Sequence, residues 1–119
     1  MTAQDNLSRL RHISDACQES LKFIENQSRE SLPQNRILAL ALVKELEIIG
    51  EAANNISSDC QLRYPEMPWK DMVGMRNRLV HAYFGINYDI VWKTVAESLP
   101  IVLRDVEEII ERESENWGP

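Results

Sequence analysis

Hydrophobic residues recur at helical spacing along most of this chain. In the first stretch, Leu7, Leu10, Cys17, Leu21 and Ile24 follow one another at intervals of three, seven, four and three residues. Residues at these intervals lie on one face of an α-helix. The pattern therefore predicts a first helix with one buried face, and the polar stretch that follows ends it.

A second, more hydrophobic helix is predicted from Ser31 to about Ser57. Ser31 and Gln34 form a capping box, with Pro33 in the first turn, where its missing N–H costs nothing. The helix is apolar on more than one face, which is typical of a helix that is central in a bundle or half exposed at an oligomer interface. Gly50 lies on this helix and leaves room for a close neighbour.

The rest of the chain predicts a connector and three further helices. Two prolines break the periodic pattern, so residues 57–69 are predicted to connect two helices, with a short helical turn between them. A third helix is predicted from Trp69 to Phe84, with Gly85 at its C′ position. A fourth spans Tyr88 to Leu99, and Pro100 kinks the chain or restarts it into a fifth. The expected fold is all-α, an up-and-down bundle of four to five helices.

Composition is that of a folded globular protein and limits how an anionic partner would bind. The 119 residues suffice for one domain, residues 1–119, and 44% of them are hydrophobic against 27% charged. The net charge of −6 is a poor match to a protein that binds nucleic acid over a broad basic face. However, residues 61–93 hold five basic and three acidic residues, whereas residues 94–119 hold two basic and seven acidic residues. A phosphate ligand is therefore expected to bind locally, near the middle of the chain.

The cysteines and the apolar runs predict a reduced, soluble protein. Cys17 and Cys60 are too few and too far apart in sequence for a zinc site or a disulfide framework, so we expect reduced thiols. The N-terminal segment lacks the apolar run of a signal peptide, and the longest apolar run, Ile37 to Val43, is too short to span a bilayer. We expect a cytoplasmic protein that does not contact a membrane.

The eight residues from Arg76 to Tyr83 contain most of the candidate site chemistry. Arginine offers a planar fork of donors that fits a phosphate, and histidine can give or take a proton near neutral pH. On a continuous helix, Asn77 and His81 would share a face, as would Arg76 and Tyr83, and Arg78 would lie beside His81. Together these residues indicate phosphodiester chemistry without a metal. The alternative is an ordinary polar surface in which His81 donates a hydrogen bond to a carbonyl.

The other polar residues do not suggest a second site. His12 has no second candidate ligand around it in the sequence and is expected to be solvated. Glu45, Glu47 and Glu51 lie on the second helix, but a metal site would need a histidine or more carboxylates from another helix. We therefore interpret the three glutamates as a solvated or partner-facing edge. No metal and no cofactor are expected.

The motif and its surroundings resemble the HepT-like toxins of the HEPN superfamily, which belong to bacterial and archaeal toxin–antitoxin pairs. The family's motif is an arginine, a polar residue, three variable residues, a histidine, any residue and a tyrosine. Here Arg76, Asn77, His81 and Tyr83 match every position. The flanking segments are also similar to the family, namely Ile49-Gly50-Glu51-Ala52-Ala53, Trp69, Gly85-Ile86-Asn87 and Trp92. The resemblance covers roughly residues 5–112.

This resemblance implies a metal-independent endoribonuclease, the toxin of a type II/VII-like HEPN/MNT pair, acting as a homodimer whose motif helices meet across the two-fold axis. Its partner would be a minimal nucleotidyltransferase (MNT), an antitoxin that neutralises the toxin by attaching AMP to Tyr83. Attack of a 2′-hydroxyl on the neighbouring phosphate of RNA needs proton transfer and positive charge. His81 is the expected proton-transfer group and Arg76 the phosphate clamp. Asn77 would orient the histidine or a phosphate oxygen, and Arg78 would add charge.

The sequence also leaves two other functions open. A non-catalytic module could use the same residues to bind a nucleotide or the partner protein, and a helical scaffold would have no site at all. One chain offers a single well-placed histidine, whereas acid–base cleavage is easiest with two proton-transfer groups. A two-fold axis beside the motif helix would supply a second His81, which is a further reason to expect a homodimer.

Overall fold

The computed structural model describes residues 3–81 and 85–117. Within these ranges the protein is built from helices and one very short strand pair, which confirms the predicted all-α class. The elements are α1 (Ala3–Phe23), α2 (Ser31–Gln34), α3 (Arg36–Asn54), α4 (Ser58–Arg63), α5 (Trp69–Gly74), α6 (Arg76–Leu79), β1 (Val80–His81), β2 (Gly85–Ile86), α7 (Tyr88–Lys93), the π-helical segment Thr94–Ser98 and α8 (Leu99–Trp117). No helix in the described ranges is long and apolar enough to cross a membrane.

The three long helices form the core. Helix α1 packs against α3 on one side and α8 on the other, while α5, α6 and α7 pack on α3. The apolar positions that predicted the first helix lie largely inside, since Leu7, Leu10 and Cys17 are buried. Both cysteines are buried free thiols, as expected, and burial raises the pKa of Cys17 to about 12. Burial also raises the pKa of Cys60, so both thiols stay protonated near neutral pH.

The predicted second helix is divided at Asn35. A separate turn, α2, precedes it, and α3 begins at Arg36 because the Asn35 side chain accepts the backbone N–H of Leu38 at 3.1 Å. Asparagine at this position satisfies a helix N–H that otherwise has no partner, and so favours a new helix start. Helix α3 ends at Asn54, and Ser57 caps α4 by accepting the backbone N–H of Cys60 at 3.3 Å. The predicted connector with a short helical turn is confirmed.

The predicted third helix, Trp69 to Phe84, is wrong at Val80 and His81, and residues 82–84 lie outside the described residues. Helix α5 ends at Gly74, α6 is a single short turn, and Val80 adopts extended angles (φ −132°, ψ 130°). Strand β1 then pairs antiparallel with β2, with Val80 opposite Ile86 and His81 opposite Gly85. Gly74 and the β-branched Val80 both weaken a helix. The strand pair also gives the backbone other hydrogen-bond partners. Gly85 has a positive φ of 87° but lies in β2 and not at a helix C′ position.

Helices α3 and α5 approach each other very closely at Gly50, as the sequence predicts. A Cβ at residue 50 would lie 2.8 Å from the carbonyl oxygen of Met72 in α5. Only glycine fits there without moving a backbone atom. This contact fixes α5, and therefore the start of α6, against the middle of α3.

Pro100 does not interrupt the last helix. The Leu99 N–H donates to the Thr94 carbonyl, five residues earlier, and the π-helical turn Thr94–Ser98 joins α7 to α8. Proline lacks an N–H and its ring clashes with the carbonyl four residues before it in an α-helix. A widened π turn relieves this clash. The predicted fourth and fifth helices are thus one continuous helical segment from Tyr88 to Trp117.

Candidate active site around helix α6

Helix α6 carries the first three polar residues of the motif. Arg76, Asn77 and Arg78 are exposed, whereas Leu79 and the preceding Met75 are buried and hold the turn against the core. After the helix, the Asn87 N–H donates to the Leu79 carbonyl at 2.8 Å. The motif arginine and its polar neighbour are therefore displayed on a short turn that is anchored at both ends.

The predicted helical face that joins Asn77 to His81 is not formed. Helix α6 ends at Leu79, and the backbone of His81 belongs to β1, with its Cα opposite that of Gly85. The expected seven-residue helical step from Arg76 to Tyr83 fails for the same reason, and Tyr83 itself lies outside the described residues. The motif thus passes from helix to strand between its arginine and its histidine.

Arg78 faces a different side of α6 from Arg76. Its Nη2 donates to the backbone carbonyl of Asp71 at 3.1 Å, which ties α6 to α5. Arg78 also lines a cavity of about 680 Å³ between α5, α6 and the α7–α8 segment, together with Lys93 and Ile101. The structure thus gives Arg78 a backbone partner and separates it from the cavities that Arg76 lines.

Two smaller cavities meet at Arg76. One, of about 270 Å³, is lined by Arg76, Asn77 and a strip of α3 that includes Glu51 and Asn54. The other, of about 260 Å³, is lined by Arg76 and Glu51 again, and by His12 of α1. Arg76 and Glu51 therefore stand between two concave surfaces, either of which is large enough for a phosphate group and the atoms around it.

The interpretation of Glu45, Glu47 and Glu51 as a solvated or partner-facing edge is wrong for Glu45. Its side chain is only 7% exposed, and its Oε2 has no hydrogen-bond partner among the described residues. Burial, and then the Glu19 carboxylate, raise the pKa of Glu45 to about 7. Glu47 and Glu51 are exposed, as expected, but they also line the cavity that contains His12 and Arg76. Within the described ranges, no three histidine, cysteine or acidic side chains are grouped so as to hold a metal ion.

Comparison with known proteins shows which family this chain belongs to. Residues 13–111 match the model of the family described as Ribonuclease HepT-like, and the chain belongs to that family. The resemblance drawn from the motif is thereby confirmed.

Its relatives come from archaea and bacteria. A protein of Thermococcus cleftensis named "Probable ribonuclease HepT" is 41% identical over 86 residues, 69% of this chain and 78% of that protein. A provisionally named RNase of Caldanaerobacter subterraneus subsp. tengcongensis is 36% identical over 104 residues, 87% of this chain and 93% of that protein. Another, of Methanocaldococcus jannaschii, is 36% identical over 107 residues, 90% of this chain and 98% of that protein. The search of solved structures gave no significant match.

Proposed function

We propose that this protein is a metal-independent endoribonuclease, and that Arg76, Asn77 and His81 carry out the reaction. Membership of the HepT-like ribonuclease family supports the reaction class. The observation that carries the assignment of residues is the placement of Arg76 and Asn77. Both are exposed, both line a concave surface, and both lie on the short helix α6, which is followed directly by the strand β1 that contains His81.

The proposed reaction is attack of a 2′-hydroxyl on the adjacent phosphorus. The Arg76 guanidinium binds a non-bridging phosphate oxygen and stabilises the charge that develops there. His81 takes the proton of the attacking 2′-hydroxyl, and a second acid, a side chain or water, gives a proton to the leaving 5′-oxygen. Asn77, next to Arg76 on α6, orients the histidine or a second phosphate oxygen. The products are a 2′,3′-cyclic phosphate and a 5′-hydroxyl, and no step needs a metal ion.

RNA cleavage by the purified protein in EDTA tests this proposal. We expect His81→Ala to lower the rate by about 10²- to 10⁴-fold, because a proton-transfer group is lost. Arg76→Ala should lower it by about 10²-fold or more, because the phosphate loses its charge partner. The control is Arg104→Ala, which removes an arginine that is 74% exposed on α8.

Two results would contradict the nuclease assignment. Cleavage that survives His81→Ala in a correctly folded variant would show that another group carries the reaction. RNA or nucleotide binding that depends on Arg76, with no cleavage by any preparation, would instead favour the non-catalytic binding module.

We further propose that the protein is the toxin of a HEPN/MNT pair and is controlled at Tyr83. The partner nucleotidyltransferase would attach AMP to the tyrosine hydroxyl, two residues after His81 in the sequence. The added phosphate is negative and the nucleotide is bulky, so it would compete with RNA for Arg76 and also occupy its space. This part of the proposal is supported by the match of all four motif positions and by family membership.

A further inference from the structure

The other histidine of the chain, His12, lines one of the cavities that Arg76 lines. His12 is exposed on α1, and Lys44 of α3 lines this cavity of about 260 Å³ with His12 and Arg76. The protein has only two histidines. One is five residues after Arg76 in the sequence, and the other reaches Arg76 through the packing of α1 on α3. Nothing in the spacing of the sequence predicts this proximity.

The charges around His12 favour an anion only when the imidazole is protonated. Two cationic and two anionic side chains line the cavity with it: Lys44, Arg76, Glu47 and Glu51. These four charges cancel, so the lining is neutral with a neutral imidazole and carries one net positive charge with an imidazolium. On α1 itself, Arg11 and Asp15 flank His12 in sequence and also carry opposite charges. A phosphate in this cavity would therefore bind best beside the proton-carrying form of His12.

We propose that His12 is the second proton-transfer residue of the RNA cleavage reaction and that it acts as the general acid. This inference rests on the proposed nuclease function. Arg76 and Lys44 would hold the scissile phosphate at the cavity, with the bond to the leaving 5′-oxygen directed toward α1. His12 then supplies the acid that the sequence pattern assigns to a second copy of His81.

The reaction starts with the two histidines in opposite protonation states, His81 neutral and His12 protonated. His81 takes the proton of the 2′-hydroxyl while the bond from the 2′-oxygen to phosphorus forms. The bond from phosphorus to the 5′-oxygen breaks, and its electron pair takes the proton of the His12 imidazolium. The cyclic phosphate and the 5′-hydroxyl leave, and solvent returns each histidine to its starting state.

A substrate with a better leaving group tests the role of His12. The full-length protein would be given RNA and the same RNA with a 5′-bridging sulfur at the scissile phosphate, a leaving group that departs without a proton. We expect His12→Gln to lower kcat on ordinary RNA by about 10²-fold, and to cleave the sulfur substrate at close to the wild-type rate. His81→Gln should remain slow on both substrates. Lys22→Gln, at an exposed position on the same helix and outside the cavity lining, is the matched control.

Each other outcome overturns the inference in a distinguishable way. Equal slowing of His12→Gln on both substrates would mean that His12 only supports the structure, and full activity on both would mean that it has no role. In either case the nuclease proposal stands, because the wild-type protein still cleaves. A wild-type protein that cleaves neither substrate would overturn both.

Nuclear magnetic resonance gives a second readout that does not depend on turnover. The two histidines give two sets of imidazole signals, which the two glutamine variants assign. An oligonucleotide with 2′-deoxyribose at the scissile position cannot react but can bind. We expect it to shift the His12 signals, and we expect Lys44→Ala to reduce that shift. An oligonucleotide that shifts only the His81 signals would place the phosphate elsewhere and overturn the inference.

Discussion

Glu45 shows how one residue can make the stability of this protein depend on pH. It lies on α3 among core residues, and burial raises the pKa of its carboxyl from 4.5 to about 7. The folded protein therefore keeps the proton over a range of pH in which the unfolded chain has already lost it. Between about pH 4.5 and pH 7 the free energy of unfolding should fall as pH rises, and above pH 7 the loss is complete.

Glu45→Gln should remove most of this pH dependence. The amide stays neutral at every pH, so near pH 4 the variant and the wild type should unfold at similar urea concentrations. At pH 8 the variant should be more stable by up to about 3 kcal/mol. Urea unfolding at several pH values measures the difference, and Glu47→Gln, at an exposed site on the same helix, is the control. Parallel pH curves for Glu45→Gln and wild type would contradict the prediction.

The burial of Glu45 could have been predicted from its neighbours. It lies three residues after Leu42 and four before Ile49, and both are fully buried. Residues at these intervals share a helical face. The charge of the side chain, and not its position, led to the expectation of a solvated edge. By contrast, Arg76 and Asn77 are exposed, as polar side chains usually are.

The proposed inhibition of the protein by attachment of AMP to Tyr83 can be tested directly. Co-expression with the partner nucleotidyltransferase should add AMP-sized mass increments to the peptide that contains Tyr83, and bacterial growth should continue. Tyr83→Phe lacks the acceptor hydroxyl, so it should escape modification and arrest growth even with the partner present. Peptide mass spectrometry and growth curves test both points. Equal protection of Tyr83→Phe by the partner would mean that the antitoxin acts by masking alone.

At the scale of elements, the change from helix α6 to strand β1 could not be predicted from sequence periodicity. The residues up to Leu79 fit a helix. Val80 is β-branched and favours a strand, but the two residues of β1 are too few to show the alternation that marks one. Its partner, Gly85–Ile86, comes four residues later, and Gly85 has a positive φ there. Periodicity describes which faces are apolar and does not identify such pairings. For the same reason, the π turn before Pro100 was not expected, although the proline itself predicted a disturbance there.

Gly85→Ala should disturb the strand pair without any steric clash. A Cβ at residue 85 meets no described atom within 4 Å, but the φ of 87° is unfavourable for alanine by about 1–2 kcal/mol. Because His81 is paired with Gly85, we expect a loss of RNA cleavage greater than the loss of stability would cause. Gly74→Ala is a control for stability only, because Gly74 lines the same concave surface as Arg76 and Asn77. Its Cβ also has open space among the described residues, and its backbone is helical, so the change should be neutral or slightly stabilising. Unchanged cleavage in Gly85→Ala would show that the pairing does not position the site.

At the scale of the whole molecule, several large hydrophobic side chains remain exposed. Ile101 is 52% exposed and lines the large cavity beside Arg78 and Met75, next to α6. An apolar surface beside the motif is the kind of surface that a two-fold axis would bury. We therefore keep the homodimer as a prediction, with α6 near the axis.

Light scattering should give about twice the chain mass of 13.8 kDa at micromolar concentration. Ile101→Glu should shift the protein toward the monomer, because a charge would be buried in the interface. Leu62→Glu, at a 76% exposed site on α4, should leave the mass unchanged. A wild-type protein that stays monomeric would contradict the dimer, and a dimeric Ile101→Glu would place the interface on another face.

The sequence predicted the class of fold better than the arrangement of its parts. Helix formation and burial follow from local spacing, so α1, α3 and α8 were expected close to where they lie. The proximity of His12 to Arg76 depends on how α1 packs on α3, which is a contact between distant parts of the chain. No spacing rule contains that information.

A single mutation at Gly50 could disrupt the surface around Arg76. Any larger residue would press on the carbonyl of Met72, a backbone atom that cannot yield without moving α5 and the arginine-bearing turn that follows. Glycine and alanine codons differ at one base, so a single copying error could displace Arg76 while most of the core remains intact. Under the proposed toxin function, such a change would give a lineage a short route to a folded but harmless relative.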